Sequence, residues 1–315
     1  MAHELSPIGV SAYVRLEHLR RTITALRANR LACESELFVF SDAPRPGDEA
    51  KVAAVRSYLH TVDGFKSVNI VERTENNRVA NNRGGIKMLL DLFGRTIFLE
   101  EDVVSAPGFL TFMNQALDRY ENNGKVISIT GYCPPIAIPA DYKFDAYFLR
   151  RFNGWGLGLW KDRAHLIKPV SLGEYRDLIA DRGKLRKFNE GAGPDIIHGL
   201  GLDAKGQIDA LDLKIIYAQF VHDKYTVYPT SSLVANIGMD GSGTHCAATE
   251  KFGTAMSKKH DFIFPESFFV DEAIVEANFR FNRFSGVAAL KRRIKLSLDR
   301  LSALGFSKRR RSGAE

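Results

Sequence analysis

Short apolar runs alternate with helical patterns through the first half of the chain. Ile8 to Val14 reads as a strand, followed by a helix that carries Leu16, Leu19, Ile23 and Leu26 on one face. Glu36 to Phe40 and Ser67 to Val71 read as further strands, with a helical pattern over Ala50 to Leu59 between them. The spacing predicts a helix over Asn81 to Phe93, entered through Gly84-Gly85. A strand over Thr96 to Leu99 stops abruptly at Glu100, Glu101 and Asp102. Pro107 opens the next helix, through Phe109, Leu110, Met113 and Leu117, and Val126 to Thr130 is one more short strand. Strands alternating with helices at this interval predict an α/β fold whose mostly parallel central sheet is flanked by helices. Beyond Thr130 the pattern loosens; residues 208–221 read as a helix holding Asp209 and Asp212, and Thr226 to Tyr228 as a strand.

In such a sheet the carboxyl ends of the strands are where ligands bind. The acidic triple falls there. Clustered carboxylates repel one another unless a cation is shared among them, and Mg²⁺ or Mn²⁺ suits one or two carboxylates completed by substrate phosphates. Arg15 follows the first strand at a helix start, a place that favours phosphate contacts. Asp42 follows the second strand, where its carboxylate suits either a nucleotide base edge or an Asx turn before Ala43-Pro44.

Composition changes little: 315 residues, 45% apolar and 26% charged, are ordinary for a folded globular chain. Cys33, Cys133 and Cys246 are odd in number and widely spaced, so no disulfide framework is expected and a reducing cytoplasm is the simplest compartment. The net charge of +7 is concentrated in residues 286–315, which hold nine bases and two acids. A neutral body with a local basic end argues against a nucleic-acid binder. Val287, Leu290, Ile294, Leu298 and Leu301 recur at helical spacing among those bases. Two readings stand: a basic amphipathic helix on an anionic membrane surface, peripheral on the inner face of the cell membrane, or a helix docked on the core. The expected division is therefore a domain over 1–285 and a basic helix and tail over 286–315.

Two Gly-rich blocks complete the picture. Gly154-Trp-Gly-Leu-Gly-Leu-Trp160 carries both tryptophans of the chain, and Gly238, Gly241 and Gly243 flank Ser242, Thr244 and His245 in a polar loop. With Phe98-Leu-Glu-Glu-Asp-Val-Val104, Phe109 through Tyr120 and Tyr228 through Cys246, these blocks resemble the GT-A (Rossmann-like) class of glycosyltransferases. The nearest likeness is to bacterial relatives of the N-acetylglucosaminyltransferase I group, over about Ile8 to Cys246.

The resemblance implies an inverting, divalent-metal-dependent transfer of a sugar from a nucleotide-sugar donor, uridine-linked, to a hydroxyl of a glycan or glycoconjugate. It puts Asp102 on Mn²⁺ or Mg²⁺. Arg15, Asp42, Glu100, Glu101, Thr244 and His245 would attend the donor, and Gly154 and Trp155 the sugar or acceptor pocket. Trp160 reads as core. Asp212 is the matching catalytic base, with Asp209 as the fallback, because Leu211 stands where the resembling enzymes tend to have tryptophan. A nucleotidyltransferase that makes nucleotide sugars and a non-catalytic nucleotide-sugar binder remain as alternatives; the former usually shows a Gly-rich loop after the first strand, which Ser11-Ala-Tyr-Val-Arg15 lacks.

Overall fold

The computed structural model describes residues 4–241 and 251–283, together with Leu296, Ser297, Asp299 and Arg300. In chain order the elements are β1 (Ile8–Ala12), α1 (Leu16–Arg27), β2 (Glu36–Ser41), α2 (Glu49–Leu59), β3 (Ser67–Glu72), α3 (Arg78–Phe93), β4 (Arg95–Glu100), β5 (Val103–Ser105), α4 (Phe109–Arg119), β6 (Val126–Thr130) and β7 (Ala146–Leu149). They continue through β8 (Leu157–Trp160), α5 (Lys161–Ala164), α6 (Leu172–Ala180), α7 (Arg182–Ala192), α8 (Ile196–Ala204), α9 (Leu211–Val221), β9 (Tyr225–Pro229), β10 (Val234–Asn236) and α10 (Glu272–Phe281). Eight strands form one sheet in the order β3-β2-β1-β4-β8-β6-β9-β7, and β5 pairs with β10 in a separate two-stranded ribbon.

The first four strands of that order are parallel, as the alternation with helices predicts. β8 enters antiparallel between β4 and β6, and β7 is antiparallel at the far edge, so the sheet is mixed beyond β4. Both faces are covered. Val10, Val39, Ile97 and Leu99 pack with α1, α2 and α4 in one cluster, whereas Phe38, Phe40 and Phe98 face Ile86 and Leu89 of α3 in another, which extends to α6–α9. Burial on both sides is why these strands read as unbroken apolar runs rather than as alternating ones. Trp160 ends β8 at 2% exposure, a core position.

Two helices start elsewhere than the pattern predicts. α3 begins three residues earlier, at Arg78, because Asn77 Oδ1 accepts the Ala80 N–H at 3.0 Å and caps it. Gly85 therefore lies within the helix, where a Cβ would come within 2.8 Å of the Phe40 ring; glycine lets α3 close on β2. α9 begins at Leu211 rather than at 208. The Ala210 N–H is drawn to Asp203 Oδ1 at 3.0 Å, which holds the preceding segment off the helix axis.

Of the basic C-terminal segment, the described residues lie on the body of the protein. Leu296 packs against the second cluster, Arg300 donates to the Ala180 carbonyl at the end of α6 (3.4 Å), and Asp299 pairs with Lys205 at the end of α8 (3.6 Å). These contacts agree with the docked reading for Leu296, Asp299 and Arg300. The remaining basic residues, and Thr244 and His245 of the Gly-rich loop, lie outside the described residues. Among the described residues no helix is long and apolar enough to cross a membrane.

Candidate functional site

The register of the parallel strands brings three chain segments to one edge. Ser11 lies beside Glu100 and Ala12 beside Ser41, so the residues that follow β1, β2 and β4 converge there. They line a cleft of about 470 Å³ that includes Arg15, Asp42, Glu100, Glu101, Asp102, Trp155 and Gly238. A second compartment of about 250 Å³ adjoins it, lined by Phe152, Gly154, Leu211 and Asp212; Arg78, Asn82, Glu100 and Trp155 border both. Half-buried Trp155 is held by edge contact with Tyr132, ring centres 4.6 Å apart.

The acidic turn is pinned from two sides. Thr22 Oγ1 of α1 donates to the Glu101 carbonyl (2.8 Å), and the Ile237 N–H, just past β10, donates to the Asp102 carbonyl (2.8 Å). Arg15 grips the side chains: Nε and Nη2 donate to Glu101 Oε1 at 3.0 and 2.9 Å, and Nη2 also donates to Asp102 Oδ2 at 2.7 Å. Burial opposes the charge on Arg15, but Glu101 and Asp102 outweigh it and raise its pKa. Burial pushes Glu101 up to about 7 against the pull of Arg15, with Asp102 and Glu100 pushing the same way. Glu100 is also raised, first by burial and then by Asp102, although Asn82 donates to it at 2.9 Å and Arg78 lies 4.0 Å away.

Asp102 is 6% exposed, and its Oδ1 is buried without a hydrogen-bond partner. An unpaired buried carboxylate oxygen is costly unless something else engages it. Among the described residues no three His, Cys, Asp or Glu side chains converge as a complete metal cage. A single hard oxygen ligand still fits Mg²⁺ or Mn²⁺, which take phosphate and water oxygens for the rest of the shell. The residues present therefore fit such an ion, with Asp102 as its protein ligand.

Asp42 lines the cleft but is already engaged. Oδ1 accepts from the Ala43 and Asn77 N–H groups at 3.0 and 3.1 Å, and Oδ2 from Asn76 at 3.4 Å. Pro44, two residues on, has no N–H to close an Asx turn, and these bonds instead tie the end of β2 to the cap of α3.

The two candidate bases are now distinguishable. Asp209 is bonded to both Lys214 and Arg83; burial would raise its pKa, but these two cations outweigh burial and lower it. Asp212, in the first turn of α9, has burial as the main influence and is raised to about 6, with Glu100 adding and the Gly154 N–H and Arg151 opposing. That N–H donates to Asp212 Oδ2 at 3.1 Å, and a Cβ on Gly154 would come within 2.9 Å of Oδ1, so only glycine lets the carboxyl close on this backbone. The pair Gly154/Trp155 and Asp212 are thus brought together in one compartment.

Arg78, Asn82 and Arg83 of α3, which border the compartments, were not singled out by the sequence pattern. Asn77 followed by a helical stretch is the cap signal that would have put them on the first turns of α3, facing the strand edge.

A scan against protein-family models finds no match, and no curated protein matches the sequence. Several solved structures superpose weakly on part of the chain. A mannosyltransferase from Pyrobaculum calidifontis, in complex with GDP-Man and Mn²⁺, superposes with a TM-score of 0.39 at 10% identity, over 70% of each chain. The galactosyltransferase LgtC, in complex with donor and acceptor sugar analogues, gives 0.34 at 14% identity, over 68% of this chain and 70% of its own. S. aureus TarS gives 0.34 at 9% identity; 64% of this chain is covered but only 44% of TarS. The strand order and the two clusters that cover its faces make the chain a mixed α/β protein with a large central sheet flanked by helices.

Proposed function

We propose that this chain is a GT-A-type glycosyltransferase that moves a sugar from a nucleotide-sugar donor to an acceptor hydroxyl with inversion at the anomeric carbon. The observation that carries the reading is Asp102: a buried carboxylate with one unpartnered oxygen, in a cleft at the strand edge, next to a second compartment that holds the desolvated carboxyl of Asp212. The donor nucleotide, uridine-linked by resemblance, would occupy the larger compartment between Arg15 and Asp42, with Glu100 and Glu101 near its ribose and sugar. Thr244 and His245 are assigned to the donor by resemblance alone. Gly154 and Trp155 would bound the sugar and acceptor. Asp102 would hold Mn²⁺ or Mg²⁺, which supplies positive charge to a departing diphosphate.

Asp212 would act as the base. With its pKa near 6 it is ionised at neutral pH yet still basic enough to take a proton. The Gly154 N–H occupies Oδ2 and leaves Oδ1 for the acceptor. As the acceptor oxygen forms its bond to the anomeric carbon, its proton passes to Asp212. The bond from that carbon to the diphosphate breaks, and its electron pair leaves with the nucleoside diphosphate.

A donor screen tests this. The protein is mixed with a panel of nucleotide sugars and candidate glycan acceptors, and free nucleoside diphosphate is followed with and without Mn²⁺. Metal-dependent release that disappears in Asp102→Ala supports the proposal. Pyrophosphate formed from a sugar phosphate and a nucleoside triphosphate would make the chain a nucleotidyltransferase, and tight donor binding without release would make it a binder.

A further inference from the structure

The grip of Arg15 on the acidic turn does more than hold it in shape. We propose that Arg15 is the resident counter-ion of the cluster, so that a divalent cation binds together with a nucleoside diphosphate and only weakly alone. This rests on the reading of Asp102 as the cation's ligand and goes beyond it by stating what controls occupancy.

The argument starts from atoms. The planar guanidinium presents a fixed fork, and two of its nitrogens engage Glu101 Oε1 while Nη2 reaches Asp102 Oδ2 at 2.7 Å. Those bonds take up one oxygen of each carboxylate. Asp102 Oδ2 is walled in on its other side by the backbone of Gly238, where an added Cβ would collide with it and would come within 2.7 Å of Arg15 Nη1. The backbone that carries the carboxylates is fixed as well, because the carbonyls of Glu101 and Asp102 are tied to Thr22 and Ile237. Asp102 Oδ1 remains as the unpartnered atom of the aspartate.

Charge points the same way. A bare Mn²⁺ approaching Oδ1 meets a half-buried positive charge bonded to the neighbouring oxygen of the same carboxylate. It also gains only one firm ligand where about six are needed. A diphosphate changes both conditions: it supplies further oxygens, and its negative charge offsets Arg15. By linkage the two ligands then raise each other's affinity by the same factor.

The test measures Mn²⁺ binding itself, by electron paramagnetic resonance of the full chain, with no turnover required. The variants are Arg15→Met and Arg15→Gln, which remove the charge, and Arg15→Lys, which keeps it. Without nucleotide, the first two are expected to bind Mn²⁺ about tenfold or more tightly than wild type, as removal of an adjacent partly buried charge predicts, and Arg15→Lys to stay close to wild type. Adding UDP or GDP is expected to raise the Mn²⁺ affinity of wild type strongly and that of Arg15→Met much less.

Wild type that binds bare Mn²⁺ as tightly as Arg15→Met overturns the proposal, as does an equal response to nucleotide in both. Circular dichroism checks each variant's fold. Should a variant not fold, wild type alone still decides, since Mn²⁺ affinity that does not change with UDP or GDP refutes the coupling. No Mn²⁺ uptake by wild type under any condition is a different failure: it removes the metal-dependent function rather than the role of Arg15 alone.

Discussion

Replacing Asp212 by asparagine should abolish turnover and make the protein more stable at the same time. Asparagine keeps the shape and an acceptor oxygen for the Gly154 N–H, but it carries no charge and cannot take a proton. The carboxyl is raised from its ordinary 3.8 to about 6, with burial the largest cause. A difference of that size corresponds to about 3 kcal/mol against the ionised folded state. The group lines an open compartment, so screening by water lowers this to about 1–2 kcal/mol.

The sign follows from proton uptake. Between pH 6 and 4 the folded protein binds a proton that the unfolded chain does not, so stability falls as pH rises through this window. The penalty is complete above about pH 6 and absent below the unfolded value of 3.8. Asp212→Asn should therefore raise the melting temperature at pH 8 by roughly 2–6 °C, and the gain should vanish near pH 4. Turnover should fall about 10²- to 10⁴-fold with donor KM unchanged. Wild-type kcat/KM should climb about tenfold per pH unit below 6 and level off above it. Calorimetry at the two pH values and a steady-state assay check all three. A variant that melts lower than wild type at pH 8, or that keeps more than about a tenth of the turnover, would refute the role given to this carboxylate.

Three further outcomes are expected. Asp102→Asn should weaken nucleotide binding in Mn²⁺ by about tenfold or more while leaving metal-free binding nearly unchanged, as calorimetric titration will show; equal affinities in Mn²⁺ count against the ligand assignment. Gly154→Ala presses a methyl group onto Asp212 Oδ1, at 2.9 Å before any relaxation, and should cut kcat by about 10- to 100-fold with little change in donor affinity; full activity would show that the carboxyl position is not critical. Lys214→Met strands Asp203, which is 7% exposed and whose Oδ1 accepts from Lys214 Nζ at 3.1 Å, and should cost about 3 kcal/mol in urea unfolding. An unchanged midpoint would mean that Asp203 finds another partner.

The parts of this molecule that could be read from sequence are those fixed by local pattern. β1, β2 and β4 are buried on both faces, so each is a largely apolar run, and the helices between the first four strands force parallel neighbours. The acidic turn was visible because such a run ends in three carboxylates. What escaped depends on contacts between distant residues. Asp209 and Asp212 look alike in sequence; they part company because Arg83, more than a hundred residues earlier, and Lys214 bind one and leave the other. The antiparallel entry of β8 beside β4 follows from the returning path of the chain, which no short window records. Likewise the start of α3 was set by the Asn77 cap, while Gly85 of the more conspicuous Gly84-Gly85 pair proved to be a packing device inside the helix.

The narrow border between the two compartments has a practical consequence. Among the described residues only Arg78, Asn82, Glu100 and Trp155 touch both spaces, whereas Phe152 and Leu211 belong to the smaller one alone. Under the proposed function, redesign of what receives the sugar can be confined to those two apolar walls. The grip on the activated nucleotide, built from the residues that follow β1, β2 and β4, is left intact, so this scaffold can be retuned one half at a time.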